Sequence, residues 1–467
     1  MSDTLPIAVI GAGPVGLAAA AQIVTRNMVP VIFERGAGAG ASLTQWAHVR
    51  VFSPWAYNID SAARELLKAN GWDEPEPTEL PTGGEIVARY LKPLAELPQL
   101  APHLRLGATV TAITRQGRDK VSTGGRDKAP FAVHWHDAAG NEQVTLAQAV
   151  IDATGTWSQP NPMGVDGLPV PGERALAARI AYGIPDVLGA ERDIYAGKTT
   201  LVVGSGHSAI NAALALLALQ ETAPQTLVLW ALRRNRIEKL LGGGLNDQLP
   251  ERGALGLAAK RAIDAGRLQI LAPFAATRLA AAETGIAVMG TLGTTAMTLM
   301  VDRIVVASGF RPDLDMLREL RVAVDPATEA PPALSPLIDP NFHSCGTVPP
   351  HGVDELTHPE PGFYIVGSKS YGRAPTFLMA TGYEQVRSVV AELAGDHVAA
   401  RQVHLVLPET GVCSVTPASL GGSDCCGGPA ATTDACCVAD EVAKAEGAAG
   451  CGCGAAAAEP MKVAEPA

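Results

Sequence analysis

The chain opens with a run of consecutive apolar positions, "IAVI", which leads through glycine into "GLAAAAQIVTRN", small and apolar at helical spacing. A second apolar run, "VPVIFER", follows. Short uninterrupted apolar runs bounded by glycine predict strands buried on both faces, so this stretch reads as strand, turn, helix, strand. The same succession returns in "KTTLVVGSGHSAINAALALLAL" followed by "QTLVLWALRRN". Three further buried-type strands each run into a glycine: "AVIDATG", "DRIVVASG" and "GFYIVG". Prolines near residue 160 mark a chain exit. "LPTGGEIVARYLKPL" predicts a capped amphipathic helix with no chemical role. From about residue 405 the periodicity dissolves into Gly, Ala, Pro, Ser and Thr, which cannot bury enough apolar area to fold alone.

The two glycine turns carry the first chemistry. Gly11, Gly13 and Gly16 form G-x-G-x-x-G between a strand and a helix. The first glycine permits the tight turn, the second lets backbone approach a pyrophosphate, and the third lets helix pack on strand. The helix N-terminus adds positive potential for phosphate. Glu34 closes the second strand, with Arg35 beside it, where an acid accepts hydrogen bonds from a ribose. In the repeat, Gly204 and Gly206 are followed by Ala209 in the third place, with His207 and Ser208 opening the helix. The strand after it ends in Arg233 and Arg234 and has no acid. Paired guanidiniums suit the 2′-phosphate of NADPH. The expected fold is α/β, with two Rossmann-like dinucleotide-binding domains, one inserted in the other. Residues 1–165 form the first part of an FAD domain and 166–330 an NADPH domain. Residues 331–403 complete the FAD domain, and 404–467 form a flexible tail.

Composition narrows the class. Of 467 residues, 47% are hydrophobic and 18% charged, a globular balance, and a net charge of -11 argues against a nucleic-acid partner. The opening apolar run has no basic start and no small-residue cleavage site. It reads as part of the mature fold rather than a signal or membrane segment, so no membrane partner and a cytoplasmic location are expected.

"ATGTWSQPN" and "SGFRPD" resemble the two linkers around the inserted NADPH domain of the two-dinucleotide-binding-domain flavoproteins, which include disulfide reductases and flavin-containing monooxygenases. "GHSAINAAL", "GGGLNDQLPERGALG" and "GSKSYGRAPTFLMATGYEQVRSV" are similar to the flavin monooxygenases of arsenic-resistance operons. The resemblance, over about residues 5 to 395, implies FAD and NADPH as cofactors. It also implies cofactor contacts at Thr154, Gly155 and Gly367. The family often has Gly-Asp after its last strand, the acid binding the ribityl chain; here Gly367 is followed by Ser368. The F-x-G-x-x-x-H motif of amine- and ketone-oxidising relatives is also missing.

Cysteine placement separates two chemistries. A flavin disulfide reductase needs two thiols beside the flavin. "RGAGAGASLTQWAHVRVFSPW", after Glu34, contains none, the inserted domain contains none, and Cys345 stands alone before the tail. Short of a tail pair reaching inward, that leaves direct flavin chemistry with dioxygen: a dry pocket that preserves a C4a-hydroperoxide gives a monooxygenase, and a leaky one gives an oxidase. Trp46, His48, Arg50, Trp55 and Tyr57 crowd one loop and are candidates to line the flavin or substrate pocket, with Trp46 facing the cofactor. His48 and Arg50 are the candidates for a catalytic role. His207 fits a packing or nicotinamide-facing role better than that of an acid or base, and Arg373 is expected to approach the flavin.

The tail holds Cys413, Cys425, Cys426, Cys436, Cys437, Cys451 and Cys453. Adjacent thiols on a flexible chain suit soft ions such as As(III), Hg(II), Cu(I) or Zn(II). The expected partners are a small-molecule or metalloid substrate and dioxygen, with a second copy of the chain retained as a candidate. Together these expectations describe an NADPH-dependent monooxygenase that oxidises trivalent arsenicals. The alternatives are a mercuric-type soft-metal reductase and a flavoprotein with a metal-sequestering tail.

Overall fold

The computed structural model describes residues 5–234, 250–341, 348–374 and 377–405. Two parallel five-stranded sheets organise them. The first joins β1 (Ile7–Ile10), β2 (Pro30–Glu34), β3 (Leu104–Leu106), β7 (Ala149–Asp152) and β16 (Phe363–Ile365) in the order β16-β7-β1-β2-β3. The second joins β8 (Ile180–Tyr182), β9 (Thr199–Val203), β10 (Leu227–Ala231), β11 (Gln269–Leu271) and β15 (Arg303–Val306) in the order β11-β10-β9-β15-β8. Each sheet has an antiparallel three-stranded companion. For the first it is β4 (Thr109–Arg115), β5 (Phe131–His136) and β6 (Glu142–Ala147). For the second it is β12 (Phe274–Ala281), β13 (Ile286–Leu292) and β14 (Thr295–Val301).

Alternation along the strands explains the layers. Ile7 and Val9 pack with the helix α1 (Pro14–Thr25), while Ala8 and Ile10 join Ile113, Phe131 and Val133 of the antiparallel sheet. Both faces are covered, so β1 is apolar throughout. Ala18 to Ala21 of α1 are fully buried, and their small side chains let the helix lie close to the sheet. The opening apolar run is therefore strand, turn and helix, as its pattern predicts. The second unit repeats the plan. Val202, Val228, Trp230 and Val305 pack with a long helix, and Leu201, Ile304 and Val306 face β12 to β14.

Helix α2 (Ser61–Ala69) begins at Asp60, whose carboxylate accepts from Ala63 N at 2.9 Å. The expected capped helix starts with Thr82 and Glu85 exchanging hydrogen bonds, then passes through a π-helical turn at Val87–Leu91. Helices α3 (His207–Thr222) and α4 (Pro250–Asp264) belong to the second unit. Helices α5 (Met379–Leu393) and α6 (His397–Arg401) return to the first.

Chain closure across the first unit is ionic. Glu360, just before β16, accepts from Arg115 Nε and from an Arg126 terminal nitrogen, each at 2.8 Å, with all three side chains buried. Removing one member of such a set leaves an uncompensated buried charge. Between the two units the chain crosses twice, and the crossings pair: Asn161 N donates to Gly309 O and Arg311 N to Gln159 O, both at 2.9 Å.

Candidate active site: two nucleotide cradles and their junction

The carboxyl ends of β1, β7 and β16 form one cradle. Gly11 has φ +99°, and a Cβ there would sit 2.8 Å from Ala153 O; at Gly16 it would collide with Gly11 O. Only glycine fits these two places. Gly13 differs, because a Cβ would meet nothing within 4 Å, so the turn faces open space there. Gly13 is also the N-cap of α1 and offers no side chain to its first N–H groups. A half-buried helix start beside open space fits a pyrophosphate. Glu34 lies at the edge and accepts from Ala12 N at 2.9 Å and Gly36 N at 2.7 Å. Arg35 points to solvent.

The neighbouring turns complete the wall. Thr154 and Gly155 follow β7, and Gly367 and Ser368 follow β16; a Cβ on Gly155 (φ +66°) would lie 3.4 Å from Ser368 Oγ. Gly367 N donates to Gln385 Oε1 of α5 at 2.7 Å, and Gln385 Nε2 reaches both Ser370 Oγ and His351 Nε2 at 2.9 Å. Burial holds the His351 pKa below its ordinary value, so the neutral ring can accept this bond. Beneath the turns lies a buried ion pair, Lys369 Nζ to Asp152 Oδ2 at 2.6 Å.

The second cradle has the same construction. Gly204 has φ +136°, and a Cβ there would collide with Ala307 O, the counterpart of Ala153 O; Gly206 again faces open space and caps α3 without a side chain. Ala209 is buried in the third place. His207 and Ser208 are half-buried, while Arg233 and Arg234 are exposed just past β10, at the edge corresponding to Glu34.

An aromatic cluster lies where the units meet. Trp157 stacks on Phe310 at 4.8 Å and approaches Trp46 at 6.4 Å, and its indole N–H donates to Gln45 Oε1 at 2.9 Å. Phe52 meets the His207 ring edge-on at 5.2 Å. Trp46 thus sits at the junction. Trp55, from the same loop, is 1% exposed and belongs to the core, and Tyr57 is half-buried. His48 is exposed, and Arg50 is exposed with its guanidinium tied to Leu80 O. Arg373 pairs with Glu329 at 3.2 Å. Trp157, Phe310, Phe52 and Lys369 escaped the sequence reading, although Trp157 and Phe310 follow the two Ala-x-Gly strand exits.

The described residues contain no cysteine; Cys345 and the seven tail cysteines lie outside them, so the expected metal ligands do too. Among the described residues no cluster of His, Cys, Asp or Glu could hold a metal ion, and no helix is long and apolar enough to cross a membrane.

Two dinucleotide cradles on duplicated parallel sheets, facing one junction, define a nucleotide-dependent oxidoreductase. The chain belongs to the pyridine nucleotide-disulphide oxidoreductase family, whose model matches residues 8–337. Among solved structures it is similar to the bacillithiol disulfide reductase of Bacillus cereus (18% identity, TM-score 0.60, covering 84% of this chain and 99% of that one). It is also similar to the thioredoxin reductase of Lactococcus lactis (17%, 0.51, 85% and 99%) and the ornithine hydroxylase of Pseudomonas aeruginosa (14%, 0.54, 85% and 100%). At these identities the likeness is one of fold. No curated protein sequence matches. Family and cradles together make FAD and NADPH the cofactors.

Proposed function

We propose that the protein is an NADPH-dependent flavin monooxygenase that oxidises trivalent arsenicals to the pentavalent state. The observation that carries this reading is the junction: among the described residues, aromatic side chains and no thiol stand between the cradles. Bound in the first cradle, FAD supplies the two-electron chemistry that connects NADPH to dioxygen. The glycine turn and the start of α1 hold its pyrophosphate, Glu34 takes the ribose, and Thr154, Gly155, Gly367 and Ser368 line the wall. Gly204, Gly206, His207 and Ser208 hold NADPH, with Arg233 and Arg234 at its 2′-phosphate. Trp46, Trp157, Phe310 and Phe52 exclude water, as oxygen transfer requires.

The reaction balances as arsenous acid, dioxygen, NADPH and a proton giving arsenic acid, NADP+ and water. The arsenic lone pair takes one oxygen atom and the other leaves as water. Two features support the substrate. One is the arsenic-operon-like segments; the other is a tail with seven cysteines, whose first described residues are tied to α5 of the first unit. His404 N donates to Glu384 Oε1 at 3.2 Å on α5, and Gly382 of the same helix lies against Val15 of the cradle helix. The test is NADPH consumption with arsenite or methylarsenite. The reading expects oxygen-dependent stimulation with one pentavalent product per NADPH.

A second reading, reduction of a soft metal or a disulfide with tail thiols as relay, is favoured by the family's usual chemistry. Anaerobic turnover with Hg(II) or a disulfide would support it instead.

A further inference from the structure

Asp152 and Lys369 stand 217 positions apart and are 0% and 1% exposed. Their contact lies at the carboxyl edge of the first sheet, where β7 and β16 run in register and Asp152 pairs with Ile365. One carboxylate oxygen takes both donors of Thr154, the amide at 3.1 Å and the hydroxyl at 2.7 Å. The other takes Lys369 Nζ, which also donates to Thr154 Oγ1 at 3.1 Å. An ammonium has three hydrogens, and the third has no acceptor among the described residues. The turns that this network joins press on the glycine cradle: Ala153 O faces Gly11, and Gly367 lies against Val15.

Helix capping or strand closure does not require a full ion pair here, because Gln385 already holds the Gly367 turn. What the pair adds is a cation and an anion in a water-poor wall, where charge acts over longer range than in solvent. Reducing a bound flavin adds negative charge, which a nearby cation favours and a nearby anion opposes. We propose that the Asp152–Lys369 pair is a positioning and electrostatic element that sets the reduction potential of the flavin in the first cradle. Lys369 favours the reduced form and Asp152 offsets it. This rests on FAD occupying that cradle and not on the arsenical as substrate.

The test measures the midpoint potential of the FAD-loaded protein by dye equilibration, and FAD dissociation by fluorescence, for Asp152→Asn, Lys369→Met and the double variant. Asp152→Asn leaves an uncompensated cation and should shift the potential upward. Lys369→Met leaves an uncompensated carboxylate and should shift it downward at pH 8. The double variant should return close to the starting value. Shifts of the same sign, or unchanged potentials with FAD retained, would overturn the proposal and leave the pair a purely structural tie. Should the single variants fail to fold, Ser368→Asp serves, because Ser368 is partly exposed and the buried pair stays intact. It adds a carboxylate to the same turn and should lower the potential; an unchanged value would overturn the proposal as well. A chain that binds no FAD at all would show in the fluorescence arm and would count against the flavoenzyme reading itself.

Discussion

Single residues divide into those that shape the cradles and those that only hold the fold. Gly13 and Gly16 are three positions apart and do opposite work. A side chain at Gly13 meets no protein atom, whereas one at Gly16 collides with the Gly11 carbonyl. Gly13→Val is therefore expected to fold with a near-normal melting temperature and yet to lose the bound flavin's visible absorbance. Gly16→Val is expected to lose the fold itself. Asp60 offers a separate residue-scale test. Burial pushes its pKa up to about 6 from an ordinary 3.8, so the folded state binds more protons between these values. Its contribution to stability is present below pH 4, is lost as pH rises through 6, and stays lost above. Asn can still cap α2, so Asp60→Asn should be more stable than the parent above pH 7, by about 1–3 kcal/mol. That advantage should vanish below pH 4. The difference between the two melting curves isolates Asp60 from His358, whose pKa burial lowers to about 4 and which acts in the opposite sense over the same range.

Elements were the most legible scale. Both strand–turn–helix cradles could be read from sequence because turn chemistry, helix start and apolar run are all local. The duplication was only partly visible. The two antiparallel sheets lack a glycine signature, and their role as the second cover of each parallel sheet emerges only from the packing of Ala8, Ile10 and Val31 on one side and Ile304 and Val306 on the other. The loop after the first unit's second strand shows the limit of composition. Its aromatics look alike in sequence, yet Trp55 is core and Trp46 belongs to the junction. Lys369 could not be read at all, because its partner lies 217 positions away. At the end of β10, Arg233 and Arg234 are exposed where the first unit has Glu34. If the two arginines grip the 2′-phosphate as proposed, replacing both with Ser removes those charge-assisted hydrogen bonds. It should raise the KM for NADPH about 10- to 100-fold, with little change for NADH. Equal losses for the two nucleotides would place the arginines outside the phosphate site.

Across the whole molecule, two cradles converge on one junction, and the chain's last described residues are tied to α5 of the first unit through the His404–Glu384 contact. A tethered ligand set raises the local concentration of whatever it holds. Truncation after residue 404 should accordingly raise the apparent KM for an arsenical while leaving the rate of flavin reduction by NADPH unchanged. An unaltered KM would remove the tail from substrate capture. Among the described residues the junction is built of aromatic rings and holds no cysteine.

The most direct test is a single turnover. NADPH-reduced holoenzyme is mixed rapidly with oxygenated buffer, with and without methylarsenite, and flavin absorbance, hydrogen peroxide and arsenic oxidation state are followed. The account predicts one pentavalent arsenical per flavin, with peroxide suppressed when the arsenical is present. Peroxide in full yield with the arsenical unchanged would contradict it, as would rapid anaerobic reoxidation of the flavin by a disulfide.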